Sequence, residues 1–87
     1  MNTVPHKPAL SRLFRMQWEE AQNNYVLLYP EGMVKLNQSA AEIHKRCNGH
    51  HSALAIVEEL EQEFGATGLG ADVDDFLRAA NERGWIS

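Results

Sequence analysis

The residues best suited to chemistry fall in one short run, His44, Cys47, His50 and His51. A thiolate with imidazoles is the donor set of zinc, but a structural zinc site takes four ligands in two separated pairs, and this run is not so divided. Cys47 continues an apolar stripe through Ala40 and Ile43 at helical spacing, so it reads as a buried thiol and no metal is expected. The doublets Glu19-Glu20 and Glu58-Glu59 have the residue type for general acid–base work. Adjacent side chains point in different directions, however, and both doublets read as surface charge. Ser39 has no histidine placed to activate it and suits a helix cap. Phe14, Trp18, Phe76 and Trp85 read as core side chains rather than a cofactor stack. No nucleophile, base or metal constellation results, so neither an enzyme nor a cofactor is expected.

Length and charge narrow the remaining classes. A chain of 87 residues has room for one domain and buries only about 60 to 65% of its unfolded surface, which leaves little scope for a deep cleft. Its formal net charge of −4 repels polyanions and weighs against a nucleic-acid partner. A single cysteine excludes an internal disulfide and suits a reducing cytoplasm. No run fits a signal peptide or a membrane span, so a cytoplasmic protein without a membrane partner is expected.

The elements follow from periodicity. Residues 1–11 hold two prolines and no repeat, and are expected to be a flexible tail unless Leu10 docks; residues 12–87 form the single domain. Leu13 to Trp18 alternates as a half-buried strand, with Phe14, Met16 and Trp18 on one face. Asn23-Asn24 should reverse the chain into a second strand, Tyr25 to Tyr29. A Pro30-Glu31-Gly32 turn, with Gly32 in the left-handed conformation, then leads to a third strand, Met33 to Leu36. Ser39 and Glu42 have capping-box spacing for a helix starting near Ala40. Ser52 should cap a second helix whose stripe runs through Ile56, Val57, Leu60 and Phe64, with Glu58, Glu59, Glu61 and Glu63 outside, and Gly65 should stop it. A third helix is expected to open with Asp72, Asp74 and Asp75 in its first turn and to bury Val73, Phe76, Leu77 and Ala80. Gly84 ends it, and Trp85-Ile86 can fold back. The fold class is α+β: three short antiparallel strands, then three helices covering one face. So small a sheet should leave a strand edge unpaired, a template for another chain.

The stretches LFRMQWEEAQ (13–22), LLYPEGMVKLN (27–37), CNGHHS (47–52) and RGWIS (83–87) resemble the PqqD family of pyrroloquinoline quinone (PQQ) biosynthesis, from about Arg12 onward. The resemblance implies a winged-helix-like RiPP recognition element. Its activity would be that of a peptide chaperone, binding the precursor peptide PqqA by strand addition and presenting it to the radical SAM enzyme PqqE. Carried onto this chain, the implied peptide groove has Met33, Val34, Lys35 and Leu36 on one side and Asp75, Phe76, Arg78 and Ala79 on the other. The alternatives are a DNA-binding winged helix or another small protein-interaction module. Against DNA, a recognition helix opening on three aspartates would set carboxylates beside phosphates.

Overall fold

The structure, a computed structural model, describes residues 3–87. Three strands, β1 (Arg15–Glu19), β2 (Asn24–Tyr29) and β3 (Gly32–Lys35), precede three helices, α1 (Gln38–Lys45), α2 (Ala53–Phe64) and α3 (Gly70–Glu82). The sheet is antiparallel in the order β1-β2-β3, so β2 is paired on both sides and β1 and β3 are its edges. Asn23, at φ 53°, makes the left-handed step that returns the chain into β2.

The second reversal differs from expectation. Tyr29 pairs with Gly32 across Pro30-Glu31, but Gly32 does not adopt the left-handed conformation. A Cβ there would stand 3.3 Å from the Tyr29 hydroxyl, so the glycine makes room for the tyrosine ring.

Register sorts the strand side chains. Leu27 lies opposite both Met16 and Val34, which puts all three on the face that meets the helices. There Leu27, Leu36, Ala40 and Ala41 form a buried cluster. Val26 and Leu28 take the other face, where Val26, paired with Gln17 and Lys35 on the neighbouring strands, is fully buried. A second cluster joins the helices through Ile43, Ile56, Leu60, Val73, Leu77 and Ile86. Phe76 and Trp85 pack on both clusters and so couple sheet to helices.

The helix ends show where local signals prevailed. Ser52 caps α2 through the Ala55 N–H at 3.1 Å, and Gly65, left-handed at φ 61°, closes it. The cap of α1 is Asn37, not Ser39: its Oδ1 accepts from the Ala40 N–H at 2.8 Å, and the helix starts at Gln38, two residues before Ala40. Asn37 takes the role because it holds extended backbone just past β3 (φ −75°, ψ 173°), as a cap must, whereas Ser39 already lies inside the helix. α3 begins at Gly70, so only Asp72 lies in its first turn. Its end is as expected: Gly84 is left-handed at φ 75° and the Trp85 N–H returns to the Ala80 carbonyl at 2.9 Å.

The N-terminal segment is built into the domain: Val4 packs against the helix cluster, and backbone pairing begins at Pro8. Pro8 is fully buried, Ala9 and Ser87 exchange backbone hydrogen bonds of 3.0 and 2.8 Å, and the Leu10 N–H reaches the Cys47 carbonyl at 3.1 Å. Leu10 does dock, and residues 8–11 are therefore no free tail; Met1 and Asn2 lie outside the described residues. Main-chain pairing of this kind leaves no side-chain period to read.

The acidic outer face of α2 is largely spoken for. Arg46 binds Glu42 at 3.0 Å, Glu59 at 2.9 Å and Glu63, tying the end of α1 to α2. Glu61 accepts from the Leu69 N–H at 2.9 Å, which holds the loop ahead of α3.

Two stability predictions follow from these contacts. Asn37→Ala should cost about 1 kcal/mol in urea denaturation, and Ser39→Ala less than about 0.5 kcal/mol. Equal losses would contradict the assigned cap. The second concerns His44, buried at 4% exposure, where burial lowers its pKa from 6.5 to about 4. Between those values the unfolded chain binds the extra proton, so stability falls as pH drops through the window, by on the order of 3 kcal/mol in full. His44→Phe should flatten that decline when both proteins are melted from pH 7 to pH 4. Parallel curves would contradict the burial of a neutral ring.

Candidate functional site

The hydrogen-bond pattern of the hairpin defines what β3 offers. The Leu36 N–H donates to the Tyr25 carbonyl at 2.9 Å, so Tyr25 and Leu36 form a bonded pair. Antiparallel pairs alternate, and the register then makes Leu27–Val34 and Tyr29–Gly32 bonded pairs as well. The N–H and C=O groups of Met33 and Lys35 consequently point away from β2. Nothing pairs with them among the described residues. Of the four β3-side residues inferred from sequence, two thus present free backbone and two, Val34 and Leu36, present side chains toward the helices.

These side chains differ in exposure. Met33 is 42% exposed and Lys35 is exposed, whereas Val34 is half-buried and Leu36 is buried. Val34 and Phe76 both pack on the cluster around Leu27 and Leu36. α3 itself packs chiefly on α2, and β3 on β2, while Val34 of β3 and Phe76 of α3 share that cluster. An extended segment beside β3 would set every second side chain toward this apolar floor and the others beside Met33 and Lys35.

On α3 the structure brings together some of the inferred residues and not others. Phe76 and Ala79 are half-buried and lie three apart, on one face. Asp75 is exposed and pairs with Arg78 at 3.5 Å, both largely in solvent, so the pair contributes little. Arg78 is turned away from this face: it lines a cavity with Val4, His6, Leu54 and Asp74 on the far side of the helix. Asp72 and Arg83, at i−4 and i+7 from Phe76, share its face instead. Helical spacing alone would have pointed to them. Arg83 also lies over the Trp85 ring at 5.4 Å.

The histidine and cysteine run does not converge. Cys47 is buried, its Sγ 3.4 Å from the Ile43 carbonyl, and burial pushes its thiol up to about 11, so it is a poor nucleophile and metal ligand. His51 bridges Glu59 and Asn48 at the surface, and His50 is exposed. His44 faces the core, edge-on to Phe76 at 5.1 Å between ring centres and 6.0 Å from Trp85. Its spacing from Ala40 and Cys47, i, i+4 and i+7, is that of the buried stripe, a signal masked by its polarity. Two residues expected in the core are more open: Trp18, 46% exposed, stacks edge-on against Tyr25 at the sheet margin. Phe64, 51% exposed in the last turn of α2, lines a cavity of about 370 Å³ with Leu69 and Asp72.

Comparison with known proteins places this architecture. Residues 24–86 match the family described as Coenzyme PQQ synthesis protein D (PqqD). A PqqA binding protein of Azotobacter vinelandii is 55% identical over 85 residues, covering 97% of this chain and 92% of the relative. One from Methylococcus capsulatus is 52% identical over 77 residues, covering 88% and 83%. Among solved structures, the PqqD truncation of Methylobacterium extorquens PqqCD, a stand-alone RiPP recognition element determined by NMR in solution, is similar in fold. It gives a TM-score of 0.75 at 24% identity, over 100% of this chain and 95% of that one. Three antiparallel strands followed by three helices are thus the fold of a RiPP recognition element, and the chain belongs to the PqqD family of coenzyme PQQ synthesis.

Proposed function

We propose that this protein binds the precursor peptide PqqA as a fourth strand on β3, against Phe76, and presents it to the radical SAM enzyme PqqE in the cytoplasm. The observation that carries this reading is the outward N–H and C=O pairs of Met33 and Lys35 beside an apolar floor, in a chain whose relatives are named for PqqA binding. Strand addition uses main-chain groups for affinity and alternate side-chain pockets for specificity. The protein's part is to hold the peptide, and the bond-making chemistry belongs to the enzyme partner. Asp72, Asp74 and Asp75, all exposed along the first half of α3, favour this reading over a DNA-binding winged helix.

Magnitudes say which part of the site matters more. Up to four hydrogen bonds to Met33 and Lys35 contribute about 1 kcal/mol each, and association costs at least about 4 kcal/mol, so backbone pairing alone does not hold the peptide. Apolar anchors contribute about 1.5 to 3 kcal/mol each, and three near the top of that range reach roughly micromolar affinity. The floor formed by Val34, Leu36 and Phe76 therefore dominates affinity, while the edge fixes direction and register.

The register makes the test specific. Lys35→Pro removes an outward donor and no β2–β3 bond, so it should fold, yet weaken PqqA roughly five- to tenfold by calorimetric titration. Thr3→Pro should bind as the parent does. Phe76→Ala should weaken the peptide tenfold or more, with thermal melts run in parallel because the ring also supports the core. Unchanged affinity in folded Lys35→Pro and Phe76→Ala would move the peptide to another surface.

A further inference from the structure

Among the described residues, His44 Nδ1 and Nε2 are buried side-chain atoms without a hydrogen-bond partner. A neutral imidazole carries one donor and one acceptor, and leaving both unmet costs free energy that an apolar ring in the same place would not. Its aromatic contacts are of the kind a phenylalanine makes: it lies edge-on to Phe76 and tilted against Trp85. Packing alone thus gives no reason for a histidine here.

Its position does. Phe76 is half-buried, and besides touching His44 it packs with Val34 on the cluster beneath β3. The Phe76 ring therefore lies against both the imidazole and the cluster beneath β3, and its rotation is a motion that would open a path between them.

We propose that His44 forms a polar subsite in the floor of the groove, hydrogen-bonding a hydroxyl or carboxamide side chain of the bound peptide once the Phe76 ring turns aside. This rests on the strand-addition reading of the site. Because burial lowers its pKa to about 4, the ring is neutral at pH 7 and offers a donor and an acceptor to a group that can meet both. A peptide carboxylate would have to give up its hydration there, and the Arg83 guanidinium lies over the Trp85 ring and makes no hydrogen bond to the imidazole, so a neutral partner is the one the subsite fits.

The test is a titration of synthetic PqqA into wild-type protein labelled with ¹⁵N in both backbone and imidazole groups, alongside His44→Phe. The proposal expects the His44 ring nitrogens to shift on saturation together with the Met33 and Lys35 amides. It expects His44→Phe to melt no lower than wild type yet to bind PqqA about tenfold more weakly. One hydroxyl or carboxamide residue of PqqA should lose affinity on replacement by alanine with wild type and not with His44→Phe. Ring nitrogens that keep their free-state shifts at saturation, as they would if trapped water alone satisfied them, overturn the subsite while the shifted Met33 and Lys35 amides leave strand addition standing. If those amides do not respond either, both readings fall together.

Discussion

The β2–β3 register is the constraint on which the rest of this structure depends. Because side chains alternate across a strand, a slip of one residue would carry Val34 and Leu36 from the helix side to the open face and Met33 and Lys35 inward. The same slip would exchange the backbone groups that pair with β2 for those that stay free. Three features hold the register: the two-residue Pro30-Glu31 loop, the bond from the Leu36 N–H to Tyr25, and the buried Leu27–Val34 pair. A single choice of pairing thus builds the core and leaves the edge at which a peptide is proposed to add.

The second dependency is the junction between the two apolar clusters. Phe76 and Trp85 pack on both, so α3 and the C-terminal segment complete the fold beside the apolar side chains beneath β3. The C-terminal segment is itself pinned, through Ala9–Ser87 and Leu10–Ile86, by the chain that enters ahead of β1. His44 sits at this junction with its polar atoms unmet, at a cost in stability borne by a chain with a small core. The junction lies beneath the Val34 and Phe76 side chains, where the peptide is proposed to bind.

Much of this was legible in the residues. The hairpin, the Ser52 cap, the stripe of α2 and the Gly65 and Gly84 stops all rest on local rules that tertiary packing did not override. What was not legible depended on non-local pairing or on choices between equivalent local signals. Asn37 and Ser39 both had capping chemistry, and the end of β3 decided between them. Residues 8–11 dock by backbone bonds that no periodicity announces. Phe64 follows the α2 stripe but outruns its neighbours, and Arg78 sits two residues from Phe76, which on a helix is nearly the opposite side. Of the sheet-side residues inferred for the groove, strand alternation sends the backbone of Met33 and Lys35 outward and the side chains of Val34 and Leu36 toward the helices. Those on the helix side sorted by angle, which a contiguous stretch does not respect.

Where the peptide lies is read most directly from interproton contacts between labelled protein and PqqA in solution. Strand addition predicts cross-strand backbone contacts from the peptide to Met33 and Lys35, and contacts from alternate peptide side chains to Val34 and Phe76. Peptide contacts confined to β1 or to the outer face of α2, with the Met33 and Lys35 amides still exchanging freely with solvent, would contradict it.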